Sequence, residues 1–270
     1  MMQLNTLDLI NDAGSSVVAS QDRIGANSHT LWAVDGATPA SGGELNTSKD
    51  VYWLVDTVSR MIQSSQREED LAVLLSRIAG VVADELDPRQ VHRNNPPSCS
   101  VLIARVNGDR LSWVCLGDIS LAVQDGHSHR LTVVENDVMQ RREVEVIAAR
   151  ADLDDARFAT FLTKRRESDM NTPHGYWVLA AKRDIARHAR YGQISISPES
   201  TVVAATDGFA RGVQLFHLFS WQDMLDKPDE VSLTDRCRDI RDIECRPDPR
   251  NRFPRIKISD DAAAVLVRVV

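Results

Sequence analysis

Apolar residues Val51, Leu54, Val55, Val58 and Ile62 recur at three- and four-residue spacing, which predicts a helix from Ser48 to about Ser65 with Ser48 as N-cap. A second helix is expected from about Glu68 to Leu86, and Pro88, Pro96 and Pro97 close the pair. Apolar stripes of this kind suit a helix pair packed on a sheet, so they read as core. Strands are expected at Val17 to Ser20 and at Thr30 to Val34, before a small-residue loop from Ala37 to Gly43. After the helices, Ser98 to Val106, Arg110 to Leu116 and Ile119 to Val123 form an antiparallel meander, with a hairpin turn at Asn107-Gly108-Asp109.

The stretch from Asp137 to about Met170 is more polar and is expected to hold two helices, inserted into an otherwise single domain covering residues 1–270. Its basic run Lys164-Arg165-Arg166 reads as a solvated helix face. Strand patterns return at Tyr176 to Ala181, Gln193 to Ser197 and Thr201 to Thr206. Helices follow at Phe209 to Leu215, Trp221 to Asp226 and Leu233 to Ile243. An arginine- and proline-rich loop, Arg246 to Arg255, precedes a final apolar strand from Ala262 to Val270.

The apolar share of 43% and charged share of 26% are those of an ordinary folded protein. A formal charge of -7 argues against nucleic acid as a partner. No apolar run reaches the length of a membrane span, and the first residues lack the pattern of a signal peptide, so a cytoplasmic protein with no membrane partner is expected. Cys99, Cys115, Cys237 and Cys245 lack zinc-site spacing and are expected as thiols. Asn46-Thr47-Ser48 matches a glycosylation triplet but carries no meaning without secretion.

The recurring chemical feature is an apolar strand that stops at an aspartate. It occurs in Trp32-Ala33-Val34-Asp35-Gly36, Leu116-Gly117-Asp118 and Ala204-Ala205-Thr206-Asp207-Gly208, while Asp260-Asp261 leads into the last strand. One Asp-Gly pair is ordinary turn chemistry. Several carboxylates gathered on strand ends would repel one another unless cations lay between them. Oxygen donors without Cys or His favour Mg²⁺ or Mn²⁺ over zinc.

In order and content these segments resemble the PPM family, the type 2C metal-dependent serine/threonine protein phosphatases. The likeness rests on Ser20-Gln21-Asp22, Val34-Asp35-Gly36, Gly117-Asp118-Ile119-Ser120, Ala205-Thr206-Asp207-Gly208 and Ser259-Asp260-Asp261-Ala262, and it extends over nearly the whole chain. The resemblance implies an α+β fold, a four-layer α-β-β-α sandwich of two antiparallel sheets flanked by helical pairs. It implies two Mn²⁺ or Mg²⁺ ions at one end, with a third, weaker site. Asp35 would bridge the two ions and Gly36 would offer its carbonyl to one. Asp207 and Asp260 would hold the other, Asp118 with Asp207 the third, and Asp22 would ligate directly or through water. Asp35, Asp207 and Asp260 are thus the expected catalytic set.

The implied reaction is one-step hydrolysis of phosphoserine or phosphothreonine in a phosphoprotein by a metal-bridging hydroxide, in a monomer regulated by a protein partner or by the insertion acting as a flap. The chain departs from the pattern at Gln21, where relatives carry an acid, and at Val17 and Val18, where they carry a phosphate-holding arginine. Arg23 and Arg211 are the substitutes considered for that arginine. Ala37-Thr38-Pro39-Ala40 replaces the usual run after Asp-Gly, although Gly42-Gly43-Glu44 resembles the end of that loop. These departures motivate the alternative readings, a regulatory binding module with weak turnover and a small-molecule phosphatase.

Other candidates have plainer explanations. His127 and His129 read as exposed hairpin residues, and His188 and His217, considered as acids for the leaving alkoxide, read as surface or half-buried groups. Ser41 and Ser100 lack the context of a serine hydrolase nucleophile. Asp261 is assigned to local hydrogen bonding.

Overall fold

The computed structural model describes residues 2–37, 45–86, 96–150, 153–248 and 252–270. The loop after Ala37 with Ser41 and Gly42-Gly43-Glu44, the side chains of the glycosylation triplet, and Pro88 lie outside the described residues; the first helix begins at Leu45, so Ser48 lies within it and is not its N-cap.

Strand β4 (Ser98–Asn107) is buried on both faces, and its alternation assigns its side chains to two cores. Leu102, Ala104 and Val106 join a layer between two sheets, whereas Cys99, Val101 and Ile103 face helices. Strand β3 (Thr30–Ala37) alternates in the same way: Leu31 and Ala33 point between the sheets, and Trp32 and Val34 point to the helices. With β2 (Arg23–Ala26), β5 (Arg110–Leu116) and β8 (Arg190–Ser195), these strands form an antiparallel sheet in the order β2-β3-β4-β5-β8.

The second sheet contains β1 (Leu4–Asp12), β6 (Ser120–Gln124), β7 (Leu131–Val134), β9 (Thr201–Ala205) and β10 (Ala262–Val269), in the order β1-β10-β9-β6-β7. It too is antiparallel throughout. Leu121, Val123, Val202, Ala204, Val265 and Val267 close the core between the sheets.

Helices α1 (Leu45–Gln63) and α2 (Leu71–Leu86) cover the first sheet, burying Val51, Leu54, Val55, Val58 and Ile62 as their spacing predicts. The Trp32 indole N–H donates to Ser59 Oγ at 2.9 Å, tying β3 to α1. Two helices, α3 (Asp137–Arg150) and α4 (Asp155–Asp169), occupy the polar stretch between β7 and β8. On the far face of the second sheet, Phe209, Met224, Leu233 and Ile240 come from α5 (Asp207–Gln214), α6 (Trp221–Asp226) and α7 (Leu233–Glu244). The result is the expected four-layer sandwich, with a helix pair on one side and three shorter helices on the other.

Several local expectations fail for identifiable reasons. Val17 and Val18 belong to no strand and are 90% and 52% exposed; the chain here is held by turns around the Ser15 hydroxyl. The segment Tyr176 to Ala181 makes only isolated bridges, Met170 with Tyr176 and Cys99 with Leu179. The basic run is partly turned inward. Arg166 donates to the Pro96 carbonyl at 3.0 Å and Ser98 Oγ at 2.9 Å, while Arg165 pairs with Glu145 at 2.8 Å. The four cysteines are free thiols, of which Cys245 is exposed. No helix among the described residues is long and apolar enough to cross a membrane.

Candidate metal centre

Register places the aspartates. Asp35 lies opposite Ser100 near the end of the β3–β4 ladder, and Asp118 follows the last residues of β5. Asp207 opens α5 directly after β9, and Asp260 stands two residues before β10. Asp22 immediately precedes β2 and is 1% exposed. Since β9 and β10 are neighbours in one sheet and β3, β4 and β5 in the other, these strand ends gather at one end of the sandwich.

The carboxyls lie near enough to act on one another's charge. Burial, then the charges of Asp22, Asp207, Asp118 and Asp260, push the Asp35 carboxyl well above its ordinary range. Asp22 is raised by burial and by Asp207, Asp261 and Asp260, against the opposing bond from Thr206. Asp118 is pushed up to about 7 by burial and by Asp207, with the Ser100 bond opposing. Asp207 is raised by burial and Asp260, while Arg211, Lys257 and a hydrogen bond with Asp35 work the other way. Asp35, Asp118 and Asp207 nevertheless keep partial exposure. The site is therefore a group of crowded carboxyls in reach of solvent.

Three of the five acids have a local partner. Thr206 Oγ1 donates to Asp22 Oδ2 at 2.8 Å and accepts from the Ala263 N–H at 2.9 Å. Ser100 Oγ donates to Asp118 Oδ1 at 2.7 Å. Asp260 receives Arg211 at 3.1 Å on Oδ2 and Lys257 at 2.7 Å on Oδ1. No group of three acidic, histidine or cysteine side chains among the described residues forms a ready coordination sphere. The donor set still fits a hard divalent cation: all oxygen, with mutually repelling charges that a cation would neutralise.

Tight glycines hold the frame. At Gly36 an added Cβ would lie 2.7 Å from the Gln21 carbonyl oxygen and 2.8 Å from Val51. Gly117 adopts φ +92, and a Cβ there would lie 2.1 Å from the Ser100 hydroxyl that holds Asp118. Asp261 accepts from the Gly14 N–H at 3.0 Å and the Gln21 N–H at 2.7 Å, the local role assigned to it.

A cleft of about 470 Å³ opens beside Asp118, Asp207 and Asp260. Its walls include Glu143 and Val146 of α3, Tyr176, Arg211 and Lys257. Glu143 is raised by burial, against the pull of Arg211 and with the push of Asp207. Of the arginines considered for phosphate, Arg211 lines this cleft, whereas Arg23 is turned to Asp56 of α1 at 2.6 Å and to the carbonyls of Ser20 and Asp22. His188 instead stacks on Trp177, and His217 contacts the Val213 carbonyl at the end of α5. His127 and His129 sit in the β6–β7 hairpin loop.

Sequence reasoning missed Thr206, Glu143 and Lys257. Thr206 stood within the Thr-Asp-Gly motif and offered a signal; Glu143 and Lys257 reach the site only through the packing of α3 and of the loop before β10.

No family model and no curated protein sequence matches the chain. Solved structures share its fold from end to end. PppA, a regulatory component of T6SS in Pseudomonas aeruginosa, superposes with a TM-score of 0.61 at 12% identity, covering 100% of this chain and 98% of that one. The catalytic domain of the serine/threonine protein phosphatase PstP, in complex with two manganese ions, gives 0.58 at 12% identity over 100% of both chains. RsbX, in complex with magnesium, gives 0.54 at 9% identity over 99% and 96%. The chain has the PP2C phosphatase fold, α+β with two antiparallel sheets.

Proposed function

We propose that this chain is a divalent-metal-dependent phosphatase acting on phosphoserine and phosphothreonine in proteins. The observation that carries the reading is the gathering of Asp22, Asp35, Asp118, Asp207 and Asp260 at one sandwich end, where burial and neighbouring carboxylates raise the carboxyls of Asp22, Asp35, Asp118 and Asp207. The fold shared with PstP and RsbX, whose structures contain manganese and magnesium, supports it.

Asp35, Asp207 and Asp260 would hold two Mn²⁺ or Mg²⁺ ions with the Gly36 carbonyl and Asp22, and Asp118 with Asp207 a third. Ions bound there would neutralise the transferring phosphoryl group and supply an activated water for in-line attack. The chain's own residues set the stage for this. Thr206 fixes the Asp22 carboxyl and Ser100 that of Asp118, so their remaining lone pairs have set directions. Arg211, 8% exposed and held by Glu244 at 3.4 Å, anchors Asp260. Helices α3 and α4 act as the flap, with α3 walling the cleft. The cytoplasm and a monomeric state complete the proposal.

The test is phosphate release from phosphopeptides and p-nitrophenyl phosphate by purified protein with Mn²⁺. Turnover that disappears on chelation is expected; a folded, Mn²⁺-loaded protein that releases phosphate from neither substrate would overturn the proposal.

A further inference from the structure

A phosphate dianion entering the cleft meets Asp118, Glu143, Asp207 and Asp260, so the substrate side of the site needs a cation able to reach a phosphate oxygen. Among the described residues, three basic side chains line the cleft. Arg142 is committed to the Asp169 carboxylate and the His174 carbonyl, where it ties α3 to the end of α4. Arg211 is clamped between Asp260 and Glu244 with a side chain only 8% exposed. Turning to a ligand would cost Arg142 both of these contacts and would draw Arg211 out of a largely buried position between two carboxylates.

Lys257 differs in each respect. It sits on the loop before β10, its side chain is 63% exposed, and its ammonium rests on Asp260 Oδ1 at 2.7 Å. Asp260 keeps Arg211 on its other oxygen when Lys257 moves. A four-carbon stem and three rotatable N–H donors allow that ammonium to swing by a few ångströms at little cost.

Resting on the reading of this centre as a phosphatase, we propose that Lys257 is the side chain that grips the substrate phosphate, moving from Asp260 Oδ1 to a phosphate oxygen in the cleft. It supplies from the C-terminal part of the chain the cationic contact that Val17 and Val18 cannot supply from the N-terminal part.

The experiment is calorimetric titration of inorganic phosphate into the full chain saturated with Mn²⁺, for wild type, Lys257→Met and Lys257→Arg, with thermal melts confirming that each is folded. Loss of one charge-assisted contact should weaken phosphate binding by roughly tenfold or more in Lys257→Met, with partial rescue in Lys257→Arg. Mn²⁺ affinity should stay the same or tighten, because a cation competing for Asp260 has gone. Equal phosphate affinity in wild type and Lys257→Met, or no phosphate binding by wild type, would overturn the proposal. Lys257-dependent phosphate binding by a wild type that turns over no phosphoester would uphold it while counting against the phosphatase reading.

Discussion

Asp35 is held by its neighbours in a state that suits a cation better than it suits the metal-free fold. Burial and the charges of Asp22, Asp207, Asp118 and Asp260 all oppose its ionisation. Asp35→Asn should therefore stabilise the metal-free protein at pH 8, on the order of 1–3 kcal/mol, by removing a crowded charge. A melting temperature unchanged or lowered relative to wild type in chelator would contradict this. Gly36→Ala acts in the opposite direction, because its Cβ would collide with the Gln21 carbonyl and with Val51. Overpacking of this kind costs about 1–3 kcal/mol, readable as a lower denaturant midpoint. Asp125 gives a pH prediction away from the centre. The Ser128 N–H foremost, with the hydroxyls of Ser128 and Ser197 and against the opposing effect of burial, holds its carboxyl at about 2. A depressed folded-state value means that its contribution to stability is present above the ordinary value of 3.8 and is lost as pH falls through about 2. Carboxyl chemical shifts should give a midpoint near 2, and a midpoint near 3.8 would refute the turn's role.

At the scale of elements, α5 links core to chemistry: its first residue is Asp207, and Phe209 is fully buried against Phe219 with ring centroids 5.9 Å apart. Phe209→Ala should cost about 3–5 kcal/mol in chemical unfolding; a loss under 1 kcal/mol would mean that α5 is not anchored as described. The elements legible in the sequence were those buried on a regular period, such as α1, β4 and β10. Strand β1 was missed because its burial alternates weakly and it pairs only with β10 at a sheet edge. Strands β2 and β7, of four residues each, are too short to show a period. Val17 to Ser20 misled in the other direction, being apolar in sequence yet exposed in space.

For the molecule as a whole, the aspartates were legible because each ends a buried strand or precedes one, and two antiparallel sheets bring those ends together. Their partners were less so. Thr206 and Ser100 act through hydrogen bonds to residues distant in sequence, and Lys257 acts from a loop without periodicity. The same topology explains how a fold can be shared with PppA at 12% identity: the layers require apolar alternation, while the chemistry requires only a few residues at one end. The central claim, that this end of the sandwich is a divalent-metal site, is tested most directly by calorimetric titration of Mn²⁺ into wild type and Asp35→Ala. Micromolar binding by wild type, weakened by at least about tenfold in Asp35→Ala, is predicted. Absence of binding, or binding equally tight in the folded variant, would contradict it.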